Sequence, residues 1–261
     1  MAAGGSRAGA TNFSTVRPAP MRPAVRASLR PWPLDAGIVH LVLLDVEMVP
    51  TATDVDGWVN KAFDDAAPDV RRVRTGAMFP RSAEAFLERG FEIADRLALL
   101  DRNLTGARQP PRVHPVNELS VTRLRQRDLP AAADLDQIAF PDGWGHDVDS
   151  LGDIASATPQ VRQRIAHSSR RTGRRTIGFS ITGKAGTVGY LQRIAVHPDA
   201  RRHGVARVLV DDAVGWLMRR GAARVLVNTG VDNQAALALY GAAGFELLPD
   251  ELLVLELERP R

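Results

Sequence analysis

The sequence predicts an α/β protein of the α+β kind. It should hold a mixed, mostly antiparallel sheet with flanking helices, preceded by a smaller, truncated half of the same pattern. Three observations carry this reading. Tyr190 to Ala206 runs from an apolar strand through a basic loop containing glycine into a helix. Residues 118 to 189 place a strand, two helices and antiparallel strands ahead of it. Residues 34 to 103 resemble the end of the chain in shortened form. At 261 residues with 44% hydrophobic, the chain can hold one large or two small domains with a real core.

Residues 1 to 33 are rich in Gly, Ala, Ser and Pro, with arginines at 7, 17, 22, 26 and 30 and no acid before Asp35. A transit peptide has such a composition, but the prolines break any amphipathic helix, and a secretory signal would need an unbroken apolar core. The segment reads as a disordered N-terminal extension, with Met21 an alternative start.

From residue 34 to 103 the pattern is strand, helix, strand, helix, strand. Ile38 to Met48 is the first strand, and Asp54 to Asp65 is a helix with Val55, Trp58, Val59 and Phe63 on one face. Val70 to Ala77 returns as strand, Ala83 to Leu87 as helix up to Gly90, and Phe91 to Leu100 as strand. Placing Thr75-Gly76 on Thr229-Gly230 brings Gly90-Phe91-Glu92 onto Gly244-Phe245-Glu246 without a gap. Phe86 then falls on Tyr240 and Phe79 on Asn233, so shape is kept and polar groups are lost. Upstream, Val49-Pro50 matches His197-Pro198 across a segment that has lost the basic loop, with Thr51 to Asp54 in its place. Any strand-helix-strand pair ending in Gly-Phe would align similarly. The expectation is a degenerate half-domain that cannot bind what the second half binds. At about 70 residues it would be marginal alone, its edge covered by the C-terminal domain or by a second copy in a homodimer.

Residues 104 to 117 form a Pro-rich polar linker. Leu119 to Leu124 opens the second domain, 118 to 261, as a strand. Asp128 is placed to cap a helix through Ala139, with Leu135 and Ile138 expected in the core. The loop Phe140 to Asp147 precedes a short helix, Ser150 to Ser156. Strands Arg164 to Ser168 and Thr176 to Thr182 pair across the turn Ser169 to Arg174, and a hairpin through Lys184 to Gly186 leads into Tyr190.

Pro198 and Asp199 end the strand that begins at Tyr190. Val205, Val208, Leu209, Val214 and Leu217 then recur at helical spacing. Between them stands Arg201-x-x-Gly204-x-Ala206. Gly204 permits a sharp turn, and the first amides of the helix suit an anion at its positive end. Arg201, Arg202 and His203 add charge or donors, so the loop reads as a pyrophosphate cradle, although a plain strand-to-helix turn can look the same. The strand Arg224 to Thr229 follows, then Asn233-x-x-Ala236-x-x-x-Tyr240-x-x-x-Gly244-Phe245. In that order, over residues 118 to 258, these features resemble the GNAT superfamily of acetyl-CoA-dependent N-acetyltransferases.

The resemblance implies a GNAT fold in which strand 190 to 196 is splayed from strand 224 to 229, leaving a V-shaped slot. Backbone groups of Ile194, Ala195 and Val196 would hold pantetheine and the acetyl carbonyl. Arg201, Arg202, His203, Gly204, Val205 and Ala206 would hold the pyrophosphate. Asn233 would bond the pantetheine arm or cap the last helix. Tyr240 would be the general acid for the leaving thiolate, or a buried packing aromatic. Relatives resembling the ribosomal-protein alanine acetyltransferase carry a glutamate base five residues before the asparagine, where this chain has Asn228. His146 and Asp147, in the loop resembling the acceptor-side lid, are alternative proton carriers, His146 otherwise being an exposed loop residue. Phe140 and Trp144 would line an acceptor pocket or fold the loop onto the core.

The implied function is acetyl transfer from acetyl-CoA to a primary amine of a small molecule or protein N-terminus by direct attack. The alternative is a non-catalytic acyl-CoA-binding or protein-interaction module. Acetyl-CoA is the expected co-substrate, and no metal is expected. The chain has no cysteine, which excludes disulfides, thiolate metal sites and a cysteine nucleophile. The net charge of +4 is carried almost wholly by arginine and interspersed with acids, against nucleic acid as partner. The apolar run near Gly37 to Leu44 is too short to span a bilayer, and a cytoplasmic location is expected.

Overall fold

The computed structural model describes residues 25–45, 48–64, 69–106, 109–111, 116, 118–140, 144–168 and 175–260. The first 24 residues, much of the linker and the turn 169–174 lie outside them. The N-terminal half consists of β1 (Ala27–Trp32), β2 (Asp35–Leu43), α1 (Ala52–Asp64), β3 (Arg72–Thr75), α2 (Pro80–Leu87) and β4 (Glu92–Asn103). The C-terminal half consists of β5 (Leu119–Arg123), α3 (Leu129–Ala139), α4 (Val148–Ser156), β6 (Gln160–Ser168), β7 (Arg175–Ala185), β8 (Val188–Val196), α5 (Val205–Arg219), β9 (Arg224–Gly230), α6 (Gln234–Ala242) and β10 (Glu246–Glu258). No helix among the described residues is long and apolar enough to cross a membrane.

The strands form one sheet in the order β1-β2-β3-β10-β4-β9-β8-β7-β6-β5. Only β2–β3 and β8–β9 are parallel. The last strands of the two halves are exchanged. β10 pairs with β3 of the N-terminal half, and β4 pairs with β9 of the C-terminal half. The two exchanged strands pair antiparallel with each other from Glu246↔Asp101 to Glu256↔Glu92. The edge of β3 is therefore covered by residues from the far end of the chain, and neither segment keeps its own last strand.

Strand alternation places the cores. Leu253 and Leu255 of β10 pack with Val39, Leu41, Val73 and the helices α1 and α2. Ala98 and Leu100 of β4 pack with Val225, Val227 and the helices α5 and α6. Helices α3 and α4 build a separate core with Ile165, Phe179, Ile181 and Ala195.

The aligned halves match closely in geometry. Phe91 N donates to Phe86 O (3.2 Å) as Phe245 N donates to Tyr240 O (3.0 Å), and Gly90 and Gly244 both have φ near +80° (83° and 77°). Phe86 stacks edge-on against Phe91 at 5.2 Å, and Tyr240 tilts against Phe245 at 5.7 Å. Phe79 and Asn233 both precede the first residue of their helix, but only Asn233 supplies a side-chain cap.

Three expectations are corrected. Residues 27 to 32, inside the segment read as disordered, form β1, paired with β2 from Ala27↔Leu43 to Trp32↔Asp35. Its burial of Trp32 and the fork of Arg26 on Asp45 hold it there. Ile138 is 52% exposed, because Asp136 takes the inward position one helical turn after Ala132 and Ala133. Asp128 precedes α3 but accepts from Arg125 N (2.9 Å), capping the turn before the helix instead.

The two halves also meet through side chains. The Arg74 guanidinium lies 4.5 Å from the Trp32 ring centre and 4.8 Å from that of Trp144, between two indoles. His40 stands edge-on to Trp32 at 4.8 Å. Burial, then the nearby His146, Arg74 and Arg30, pushes His40 down to about 4. Burial and then Arg193 push His146 down to about 4 as well.

Two tests follow from this architecture. Residues 25–103 expressed alone lack β10, and thermal unfolding followed by circular dichroism should show no cooperative transition. The histidines set an acid limb. Both rings are neutral when folded, whereas unfolded histidine takes a proton below about 6.5, so stability is full above that pH and falls as pH drops towards 4. Each ring contributes at most about 2 kcal/mol of loss by pH 5. Urea midpoints at pH 7 and pH 5 should converge in His40→Leu relative to the parent.

Candidate active site

The site begins where β8 and β9 part. They pair in parallel only from Val188↔Arg224 to Tyr190↔Leu226. Beyond that point β8 continues to Val196 against β7, and β9 continues to Gly230 against β4. Backbone groups of β8 and β9 therefore face each other across an open slot that includes Ile194, Ala195 and Val196 on one side. In the aligned N-terminal half the pairing starts where this one stops. Ile38↔Arg72 to Leu41↔Thr75 is zipped, and Gly76 N donates to Leu41 O at 2.8 Å. That half has no slot at the matching level.

The basic loop follows β8. Arg202 and Gly204 both take left-handed backbone, φ 64° and 78°, which curls successive amides into a concave nest suited to an anion. A Cβ on Gly204 would lie 3.2 Å from Val116 Cγ2 in addition to the left-handed strain. Val205, Ala206 and Arg207 open α5, where amides have no intrahelical acceptor. Arg202 and His203 are exposed at this mouth. Arg201 instead donates Nη2 to Ala139 O (3.2 Å), tying the loop to the end of α3. These residues fit a pyrophosphate: a left-handed nest, a helix N-terminus and the exposed Arg202 and His203 converge.

Tyr240 lies on the same face as the slot, in one cluster with Leu191, Val227, Val214 and the half-buried Ile194. Burial pushes its phenol up to about 12. Asn233 Oδ1 accepts from Ala236 N (3.1 Å) and its Nδ2 donates to Thr229 Oγ1 (3.1 Å), so its side chain is the cap of α6.

On the opposite face a bulge interrupts β8. Ile181 pairs with Arg193 and Thr182 with Leu191, leaving Gln192 with no partner across the ladder. The bulge aims Arg193 at Asp136, whose fully buried carboxylate accepts from Nε (2.8 Å) and Nη2 (2.7 Å). Arg193 also donates to Trp144 O (2.8 Å) and lies 3.6 Å from the Phe140 ring centre, and Asp136 Oδ2 accepts from His146 N (2.8 Å). This pair fixes the loop 140–147, and removing one partner would cost about 3–5 kcal/mol. Sequence reasoning missed it. The signal was Arg193 as the lone charged residue of its strand.

The loop residues do not gather around the slot. Phe140 packs on Arg193, and Trp144 packs on Arg74 and Trp32. Asp147 Oδ1 caps α4 by accepting from Ser150 N (2.8 Å). His146 is half-buried beside His40 with Nδ1 unpartnered, and at about 4 it is a weak base. Between the halves lies a cavity of about 660 Å³. Its walls include Tyr190, Gln192, Leu226 and Asn228 beside the slot, Ile154 of α4, and Val42, Met78 and Phe79 of the N-terminal half. His146 and Tyr240 are not among its lining residues.

Residues 174–245 match the model of the Acetyltransferase (GNAT) family. The [Ribosomal protein bS18]-alanine N-acetyltransferase of Escherichia coli (strain K12) is 29% identical over 126 residues, covering 48% of this chain and 80% of that protein. Two solved structures share the fold across both halves. A GCN5-related N-acetyltransferase from Sphaerobacter thermophilus has a TM-score of 0.64 at 16% identity, covering 91% of this chain and 78% of that one. A tandem GNAT protein from the clavulanic acid biosynthesis pathway has a TM-score of 0.62 at 12% identity, covering 91% and 80%. With its parted strands, anion nest and family match all in the second half, the chain carries a GNAT acetyltransferase domain at its C-terminus.

Proposed function

We propose that the chain transfers the acetyl group of acetyl-CoA to a primary amine, of a small molecule or a protein N-terminus, by direct attack. The observation that carries this reading is the parting of β8 from β9 directly above the anion nest. In this reading the nest and the first amides of α5 hold the pyrophosphate, with Arg202 and His203 beside it. Backbone groups of Ile194, Ala195 and Val196 bond the pantetheine and polarise the acetyl carbonyl, a preorganised arrangement that needs no reorganisation as charge develops. Asn233 acts through α6, whose first turn it caps.

Tyr240 is the proton donor to the departing sulfur. Its place on the slot face supports the role, and its shift to about 12 keeps it protonated at any physiological pH. Transfer to a thiolate with conjugate acid near ~8.5 is then uphill by roughly 5 kcal/mol as a separate step, so the proton must move as the C–S bond breaks. Asn228 stands where a carboxylate base would be and accepts no proton at neutral pH. An α-amine with a pKa of ~7.7–8.0 is substantially neutral at mild alkalinity and needs no base, unlike a lysine near ~10.4. The similarity to an alanine N-acetyltransferase agrees with an acceptor of that kind.

Release of free thiol from acetyl-CoA across a panel of amines tests the reading, and binding without release would leave an acyl-CoA-binding module. Gly204→Asp sets a carboxylate in the nest and should weaken acetyl-CoA binding by calorimetry at least about 100-fold; unchanged affinity would remove the cradle. Tyr240→Phe keeps the ring, so melting temperature and acetyl-CoA affinity should hold while turnover falls about 10²- to 10⁴-fold. Loss of stability alongside activity would mark the hydroxyl as structural.

A further inference from the structure

We propose that the chamber between the two halves is the acceptor site, and that it takes a small primary amine, uncharged when bound, on an apolar body without an anionic group. This rests on the acetyltransferase reading above and names its substrate class. The chamber meets the slot where β8 and β9 part, through Tyr190 and Gln192 on one strand and Leu226 and Asn228 on the other. It lies on the sheet face opposite α5 and α6, so an amine held there reaches the slot from the side away from Tyr240. The N-terminal half, which has no slot of its own, supplies Val42, Met78 and Phe79 to its wall.

The wall chemistry sets the class. Among the described residues lining the chamber there is no Asp, Glu, Lys, Arg or His; its side-chain polar groups come from Ser82, Thr158, Tyr190, Gln192 and Asn228. An ammonium or carboxylate moved into such a chamber loses its hydration and gains no counter-charge, so the charged form is disfavoured. The amine therefore leaves its extra proton in bulk water and enters neutral, which removes the need for a protein base at position 228.

Gln192 is a fixed part of the wall. The bulge turns this residue out of the ladder, and its Nε2 donates to Ile154 O at 2.9 Å, fixing the amide. Its Oε1 is buried over Gly183, where an added Cβ would overlap it and Thr158 Oγ1. The nitrogen lone pair forms the bond to the acetyl carbon and the C–S bond breaks with its electrons on sulfur. The nitrogen gives up one proton to water, sulfur takes one from Tyr240, and the phenolate regains one from water, so the net products are the N-acetyl amine and the free coenzyme thiol.

The test uses the full chain with saturating acetyl-CoA and follows thiol release. Leucinamide, leucine and 1,5-diaminopentane differ in carrying a neutral apolar body, an added carboxylate and a second cation. Leucinamide should exceed the other two in kcat/KM by about 10- to 100-fold. Its log kcat/KM should rise with unit slope and level near the acceptor's own pKa of ~7.7–8.0, and with aniline the rise should vanish from this range. Phe79→Glu puts a carboxylate in the chamber wall and should shift preference towards 1,5-diaminopentane. Equal use of leucine or the diamine by the parent protein, or one pH break common to every acceptor, overturns the inference while leaving the transferase standing. Thiol release with no amine at all overturns both. The parent protein's acceptor panel decides even if a variant misfolds.

Discussion

The pairing of β4 with β10 is the constraint on which the rest of the molecule depends. Each strand comes from one half and stands next to the penultimate strand of the other. Break that seam and β4 and β10 both lose a neighbour, exposing two ladders of unpaired amides and carbonyls. The hydrophobic cores divide along the same line. Leu253 and Leu255 belong by sequence to the second half but complete the core under α1 and α2, while Ala98 and Leu100 do the reverse. Burial therefore ties the halves as firmly as the hydrogen bonds do.

With the seam in place, the two halves differ in one register. Between β8 and β9 the parallel ladder ends at Leu226; between β2 and β3 it runs on to Thr75, three aligned positions further. One end is held open by what surrounds it. The bulge at Gln192, the Arg193–Asp136 pair and the basic loop all sit on β8 or just beyond it, and β2 has no counterpart to that loop. The N-terminal half has kept its packing ring, Phe86, and its glycine turn, and beside the slot it supplies one wall of the cavity.

Much of the local structure was legible because periodicity is a local signal. The helices α1, α4, α5 and α6, the strand ends at Pro198 and Gly244, and the internal alignment of Phe86 with Tyr240 all follow from spacing. What could not be read was partnership. Nothing local in 246 to 258 encodes that its neighbours are β3 and β4. Ala27 to Trp32 was hidden by the composition of the residues before it. Ile138 looked like core, because the arginine that draws Asp136 inward is 57 residues away at a bulge that spacing does not show. The same blindness covers the loop 140–147, where Trp144 and His146 turned out to face β1, β2 and β3.

The exchange also has a temporal meaning. A ribosome makes β3 and β4 long before β10, so the place between them stays open until β10 emerges. The N-terminal half cannot close behind the ribosome as an independent domain would, because the strand it awaits is still unmade or inside the exit tunnel. Its core under α1 and α2 is completed only once β10 is free. Both halves must thus reach the folded state in one late event, and the nascent chain carries an unpaired strand edge until then.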